Sequence, residues 1–273
     1  MPNPLPPTEH IKLERDGPVL RLWLNRPQVR NAMSREMVAE ILATFDAIAD
    51  DRTVRVVVIR GAGGTFCAGG DIKNMSVSGT APAPGARDEL KEGNLRFGRM
   101  MATVNTAPQA VIAAVEGHAM GCGFGLACVA DITIALEHAQ FAMTEVTLGI
   151  VPAAISPFVV QRIGLTAARR FGVSGARLNG AQAQAIGIVH EVASDAAALD
   201  TAITTAINQI LKCAPGAVAE TKKLMHRAAG ATPMSELLDY AAESFTGAVR
   251  GAEGREGTTA FVEKRKPNWV TKI

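Results

Sequence analysis

Residues 66–73 read FCAGGDIK, and residues 117–126 read GHAMGCGFGL. Each stretch follows a run rich in β-branched residues, and each contains more glycine than a single turn requires. Several glycines together indicate that bare backbone closely approaches another part of the chain or a bound molecule. These two stretches are therefore the first place to look for both the fold and the site.

The segments that precede the glycine stretches predict buried strands. VRVVVIRG (54–61) leads into the first stretch, and VIAAVEG (111–117) leads into the second. Continuous apolar runs of this length are typical of parallel strands covered on both faces. Both glycine stretches are therefore expected at strand ends.

The residues before the first of these strands predict a hairpin and a helix. IKLER (11–15) and the run over 19–24 are joined at Asp16-Gly17, which favours a tight turn. Ser34 is placed to cap a helix. Apolar residues follow it at helical spacing, at Met37, Ile41, Phe45 and Ile48. This helix is expected to pack on the sheet.

The rest of the chain predicts an α/β core followed by helices. SVSGTAPAPGAR (76–87) has the composition of a loop, and helices are predicted over 89–104, 156–164 and 165–172. Beyond about residue 195 the pattern is almost wholly helical. We expect three parts, namely a flexible arm over 1–10, a core with the active site over 11–205, and a helical oligomerisation domain over 206–273.

The composition limits the classes of function. The chain has 273 residues, of which 48% are hydrophobic and 20% charged, and its formal net charge is +2. A charge this small gives no global field to attract nucleic acid or an anionic membrane. The start lacks the layout of a signal peptide, no apolar window reaches the length of a membrane span, and the four cysteines have no scaffold spacing. We expect a cytoplasmic protein with reduced thiols.

Common motifs do not explain the glycine pattern. Gly121, Gly123 and Gly125 give G-x-G-x-G, which is not the dinucleotide-binding fingerprint, and the P-loop and G-x-S-x-G motifs do not occur. The five histidines are scattered, so no metal site is expected. Two interpretations remain, a structural role and an oxyanion hole in which two backbone N–H groups hold one carbonyl oxygen. Spacing alone does not separate them.

Four motifs in order resemble the crotonase superfamily, the enoyl-CoA hydratase/isomerase family. They are FCAGGDIK, AVEGHAMGCGFGLACVADI, AQFAMTEVTLGIVP and EGTTAFVEKRKP, and the resemblance runs from about residue 11 to the C-terminus. It implies an α/β fold, a crotonase-like spiral of ββα units with a C-terminal helical trimerisation domain. It also implies a homotrimer or a homohexamer built as a dimer of trimers.

The resemblance implies roles for individual residues. Ala68 and Cys122 match the positions whose backbone N–H groups form the family's oxyanion hole, and Glu145 matches a glutamate that acts as acid and base. The positions implied for binding the coenzyme A thioester, the last two of them in a neighbouring subunit's site, are Arg30, Ala68, Gly69, Gly70, Asp71, Ile72, Lys73, Gly121, Cys122, Gly125, Phe261 and Lys264. No separate cofactor is expected, because coenzyme A enters as part of the substrate.

Gly125 stands where family hydratases generally carry a second glutamate. One carboxylate suits an isomerase, which moves a proton between C2 and C4. However, GCGFGLACVAD, TEVTLGI, SPFVVQRIGLTAARR and GAEGREGTTAFVEKRKPNW resemble the isohexenylglutaconyl-CoA hydratase branch of acyclic terpene breakdown. The sequence thus favours hydration of a branched or glutaconyl-type enoyl-CoA. The alternatives are a delta-isomerase, a catalytically silent acyl-CoA-binding relative and an RNA-binding relative, the last disfavoured by the near-neutral charge.

Overall fold

The computed structural model describes residues 4–71, 82–83 and 85–273 of the chain. Ile72, Lys73 and most of the predicted loop over 76–87 lie outside the described residues. The described residues form two sheets surrounded by helices, so the expected α/β class is confirmed.

The strands of the described residues form a six-stranded sheet and a three-stranded sheet. Their bounds are β1 Ile11–Asp16, β2 Val19–Leu24, β3 Val56–Gly61, β4 Ala110–Val115, β5 His118–Met120, β6 Ile132–Leu136, β7 Gln140–Ala142, β8 Arg177–Asn179 and β9 Glu191–Ala193. The larger sheet has the order β1-β2-β3-β4-β6-β9, and the smaller one has the order β5-β7-β8. The β1–β2 hairpin is antiparallel and the other pairs of the larger sheet are parallel.

Nine α-helices pack around these sheets in the described part of the chain. Their bounds are α1 Arg35–Ile48, α2 Glu89–Thr106, α3 Cys122–Val129, α4 Ser156–Ser174, α5 Gly180–Ala185, α6 Ala196–Ile210, α7 Pro215–Ala228, α8 Met234–Arg250 and α9 Ala252–Val262. The two helices predicted over 156–164 and 165–172 together form α4, which is divided by a kink at Gly164, whose φ of 74° is not helical.

The predicted start of the chain is confirmed in detail. The hairpin pairs Asp16 with Val19 across the turn, and the Ser34 side chain accepts a hydrogen bond from the Met37 N–H at the start of α1.

All six residues of β4 are buried, as expected for a parallel strand covered on both faces. The sheet therefore forms a rigid base for the glycine stretches at its edge.

Helix α3 lies against the segment that follows β3, and this contact requires glycine. A Cβ on Gly123 would stand 2.7 Å from the Cys67 Cβ and 2.7 Å from the Cys67 carbonyl oxygen. All residues of α3 except Cys122 are buried. The start of α3 is thus fixed directly beside the first glycine stretch.

The C-terminal helices are joined to the core through α6 and α7. The boundary expected between residues 205 and 206 falls inside α6, which packs on β6 and β9. Lys222 of α7 pairs with Asp131 at 2.6 Å, and its ammonium also donates to the Gln109 carbonyl. By contrast, α8 has no buried residue.

The described N-terminal residues contact α1. The backbone N–H groups of Glu9 and His10 donate to the Glu40 carboxylate at 2.9 to 3.2 Å. These contacts hold the last residues of the expected arm against the core. Within the described residues, no helix is both long and apolar enough to cross a membrane.

Candidate active site

The two glycine stretches lie side by side, as the sequence predicted. The Cys67 N–H donates to the His118 carbonyl at 2.8 Å, and the Met120 N–H donates to the Cys67 carbonyl at 2.9 Å. Phe66 extends this ladder through its N–H to the Glu116 carbonyl at 2.8 Å. The residues that follow these hydrogen bonds in each stretch therefore border the same cavity.

Ala68 does not supply a free donor to this space. Its N–H donates to the Arg30 carbonyl at 3.0 Å, so the expectation that Ala68 is an oxyanion donor is wrong. A backbone N–H that already has a strong acceptor is not preorganised for a substrate oxygen. No local sequence pattern predicts this bond, because Arg30 is far from Ala68 along the chain.

Gly70 supplies the free N–H of this stretch instead. Gly70 pairs with Met33 in a parallel bridge, in which the Met33 N–H donates to the Gly69 carbonyl and the Asp71 N–H donates to the Met33 carbonyl. In such a bridge the N–H of the central residue points away from its partner strand. Among the described residues the Gly70 N–H has no acceptor, and Gly70 lines a large cavity.

Cys122 supplies a second free N–H to the same cavity. It is the first residue of α3, and the first helical hydrogen bond is the one from the Gly125 N–H to the Gly121 carbonyl at 3.0 Å. The Cys122 N–H therefore has no partner within the helix, and the helix dipole favours negative charge at this end. Burial raises the pKa of the Cys122 thiol, which keeps the side chain neutral.

The Glu145 carboxylate faces these donors. Glu145 begins a short 3-10 turn that ends at Leu148. Its Oε1 lies 2.8 Å from where a Cβ on Gly121 would stand, and Gly121 has a φ of +48°. Only glycine both adopts that backbone conformation readily and leaves this space to the carboxylate. Glu145 is thus held against the start of α3.

The surroundings of Glu145 tune its acidity. Burial raises the pKa of the Glu145 carboxyl, and a hydrogen bond from its own backbone opposes this shift. The buried Oε2 atom has no hydrogen-bond partner among the described residues. A carboxyl group with a raised pKa in a cavity is suited to taking up and returning a proton near neutral pH.

Apolar side chains fill the space beside Gly125. A Cβ at this position would stand 2.4 Å from Ile155 Cγ2 and 3.0 Å from Met101 Cε. Helix α3 therefore offers no second carboxylate, and Met101 of α2 and Ile155, which precedes α4, occupy the place that one would take. A side chain larger than that of glycine fits at position 125 only if these neighbours move.

The cavity that joins these groups has a volume of about 980 Å³. Its apolar lining includes Val38, Phe97, Ile150, Val151 and Ile155. Five charged lining residues form ion pairs, Asp71 with Arg26 at 3.0 Å, Arg35 with Glu89 at 3.1 Å, and Arg87 with Glu92, and the other charged lining residues are Asp88, Lys91, Arg96 and Glu145. The interior thus suits an apolar chain that ends near Gly70, Cys122 and Glu145.

The other predicted binding residues are divided between places. Arg30 and Ala68 line a separate cleft of about 280 Å³, together with His118 and Arg177, which the sequence analysis did not identify. Phe261 and Lys264 are exposed at the end of α9 and do not line the cavity of their own chain. Within the described part of the chain, no group of three His, Cys, Asp or Glu side chains is arranged to hold a metal ion.

Comparison with known proteins gives one consistent result. The family model described as enoyl-CoA hydratase/isomerase matches residues 14–272. Carnitinyl-CoA dehydratase of Citrobacter koseri is 32% identical over 96% of this chain and 98% of its own. Two solved structures, AtuE of Pseudomonas aeruginosa and an enoyl-CoA hydratase/isomerase of Marinobacter aquaeolei, are each 49% identical with a TM-score of 0.92. They cover 96% of this chain and 100% and 99% of their own.

Proposed function

The chain belongs to the enoyl-CoA hydratase/isomerase family, and we propose that it is a hydro-lyase that adds water across the 2,3 double bond of an acyl-CoA thioester. One observation carries this proposal. Two backbone N–H groups and a single buried carboxyl group, those of Gly70, Cys122 and Glu145, line one cavity. A thioester carbonyl held by both donors acidifies the α-carbon, which lies within reach of an acid/base group placed beside them.

The oxyanion hole is formed by the N–H groups of Gly70 and Cys122. Negative charge develops on the thioester oxygen as the double bond is attacked, and two preorganised donors stabilise that charge. The start of α3 adds its dipole at the same point. Neither donor depends on a side chain, so a cysteine at position 122 serves as well as a glycine.

Glu145 performs the proton transfers. Its carboxylate accepts a proton from water while the water oxygen bonds to C3, and the π electrons move onto the thioester as an enolate. The protonated carboxyl then returns a proton to C2, which completes hydration with no net change in the enzyme. Burial raises the pKa of Glu145, which favours the return of the proton to C2 compared with a fully exposed glutamate.

The acyl group that fits best is branched or glutaconyl-type. The size and apolar lining of the cavity accommodate a branched chain. The motif resemblance to the isohexenylglutaconyl-CoA hydratase branch of terpene breakdown supports the same class. Coenzyme A is recognised as part of the substrate, with Arg30, Gly69 and Gly121 among the positions expected to lie along it.

We propose a homotrimer, or two such trimers, as the working assembly. Helix α8 exposes a row of large apolar side chains, at Met234, Leu238, Phe245 and Val249, and α9 ends with an exposed Phe261. Apolar surface of this extent is typical of a subunit interface. Phe261 and Lys264 then reach the thioester site of a neighbour, which accounts for their position away from the cavity of their own chain. The proposed enzyme acts in the cytoplasm.

A delta-isomerase is the second candidate, favoured by the packing at Gly125. Because Ile155 and Met101 occupy the place of a second carboxylate, only Glu145 is available from this part of the site. One base is sufficient to move a proton between C2 and C4. The same residues would serve this reaction without an attacking water.

Product analysis separates these candidates. The protein is incubated with linear, branched and carboxylated 2-enoyl-CoA and 3-enoyl-CoA thioesters in deuterated water, and hydrated and isomerised products are separated. A hydrated product is expected, fastest with branched or carboxylated chains. Isomerised product alone would establish the second candidate. Binding with neither product nor α-deuterium exchange would identify a silent acyl-CoA-binding protein and overturn the proposal.

A further inference from the structure

A short loop between β2 and α1 approaches the first glycine stretch. Two hydrogen bonds between Arg26 and Asn31 close this loop. The Asn31 N–H donates to the Arg26 carbonyl, and the Arg26 N–H donates to the Asn31 Oδ1, both at 2.9 Å. Arg30 and Asn31 have φ values of 52° and 55°. Two successive left-handed residues other than glycine are costly, and such strain persists only where the surroundings hold it.

Asn31 fixes the loop to the end of β3. Its side chain is fully buried, and its amide donates to the carbonyl oxygens of Ala62 at 2.9 Å and Thr65 at 2.6 Å. All the polar atoms of this amide group are thereby used. The loop is held on the same strand end from which the first glycine stretch emerges.

The Arg26 guanidinium joins the loop to the glycine stretch. Its Nη1 donates to the Ala32 carbonyl at 2.6 Å and to Asp71 Oδ2 at 3.0 Å. The side chains of Arg26 and Asp71 are only 16% and 15% exposed. Ala32 precedes Met33, and Asp71 follows Gly70. One cation therefore clamps both sides of the bridge that orients the Gly70 N–H.

We infer that Arg26 is a positioning residue for the oxyanion donor at Gly70, acting through the carboxylate of Asp71. This inference rests on the proposed function. It also reassigns Asp71, which holds backbone in place through its carboxylate and does not need to contact the thioester. Arg26 touches no reacting atom.

The clamp matters because the donor must be placed accurately. An oxyanion donor is effective within a narrow range of distance, and a small misplacement costs as much as about 10²-fold in rate. Lysine can replace the charge of Arg26 but not its planar set of donors, so it should restore the clamp only in part.

The test compares Arg26→Gln, Arg26→Lys and Asp71→Asn with a matched control, Arg15→Gln. Arg15 also pairs with a carboxylate, that of Asp51 at 3.1 Å, but on β1 and outside the cavity. Three quantities are measured on folded protein of confirmed thermal stability. They are kcat and KM for the fastest enoyl-CoA, and the absorption shift of bound cinnamoyl-CoA, which grows as hydrogen bonds polarise the thioester carbonyl.

We expect Arg26→Gln and Asp71→Asn to lower kcat by about 10-fold to 100-fold with little change in KM. Both should reduce the absorption shift, and Arg26→Lys should be intermediate. A protein that carries both Arg26→Gln and Asp71→Asn should lose no more kcat than either single variant. Normal kcat and a normal shift in Arg26→Gln would overturn the inference, as would a loss no larger than that of Arg15→Gln. Failure of the wild-type protein to turn over any enoyl-CoA would instead overturn the proposed function.

Discussion

The two backbone N–H groups that point into the cavity are held by different kinds of structure. The Cys122 N–H belongs to the first turn of a helix, so local geometry alone leaves it free. The Gly70 N–H is free because a bridge to Met33 and an ion pair between Arg26 and Asp71 orient its backbone from outside. One donor is therefore set by adjacent residues and the other by contacts across the fold.

Two equivalent donors are therefore not equally easy to disrupt. A helix start tolerates many sequences, whereas the loop that supports Gly70 depends on one buried asparagine and one arginine. Changes to the acid/base group that faces both donors, to one donor, or only to the surroundings of this site should produce effects of decreasing size.

The largest effect is expected from Glu145→Gln, which removes the acid/base group that faces both donors. The amide keeps the shape but does not exchange a proton at neutral pH, so turnover and α-proton exchange should fall by about 10²-fold to 10⁴-fold. The absorption shift of bound cinnamoyl-CoA should persist, because both N–H groups remain. The control is Glu137→Gln, at an exposed position. Retained turnover in Glu145→Gln would show that another group moves the proton.

Cys122→Pro should have the next largest effect, because it deletes one donor. Proline is tolerated at the first position of a helix, so α3 should still form while kcat falls by about 10²-fold to 10³-fold. Ala196→Pro is the matched control, since Ala196 is the exposed first residue of α6. If the folded Cys122→Pro protein has a normal kcat and absorption shift, the helix donor is misassigned and the comparison fails.

Gly125→Glu should change stability more than chemistry. The added side chain meets Ile155 and Met101, and overpacking of this kind lowers the free energy of unfolding by about 1 to 3 kcal/mol. Gly93→Glu is the control, because an added Cβ there meets nothing within 4 Å. Urea unfolding measures both. Unchanged stability with faster hydration of crotonyl-CoA in Gly125→Glu would show that α2 and α4 yield readily to a second carboxylate.

The smallest effect concerns the protonation of Glu145. Burial raises its pKa above 4.5 in the folded state, so the folded protein binds this proton more tightly than the unfolded chain does. The free energy of unfolding should therefore fall as the pH rises from 4.5 through the raised pKa, and Glu145→Gln should lack this fall. Urea unfolding across that pH window, with Glu137→Gln beside it, measures the difference. A difference independent of pH would contradict the raised pKa.

The sequence predicted those features that depend on neighbours in the chain. The hairpin, the Ser34 cap and the buried strands all follow from local pattern, and the structure confirms them. The position of Glu145 was inferred from resemblance, and the structure places it in the same cavity as Cys122.

The sequence did not predict features that depend on register between distant segments. Arg30 and Met33 decide which N–H of FCAGGDIK is free. They pair with Ala68, Gly69 and Asp71 and leave the Gly70 N–H without a partner among the described residues. The packing of Ile155 beside Gly125 likewise joins two helices. No local pattern records either contact, and the resemblance implied Ala68 as the donor where the structure leaves the Gly70 N–H free.

The apolar packing at Gly125 also limits how the site can change by single substitutions. Introducing glutamate first would overpack the core, and trimming Ile155 first would leave a cavity that costs about 2 to 5 kcal/mol. Either first step crosses a less stable intermediate, so selection that acts one substitution at a time tends to retain the single-carboxylate site. New substrates are then more readily gained by reshaping the remote walls of the cavity than by adding a second acid.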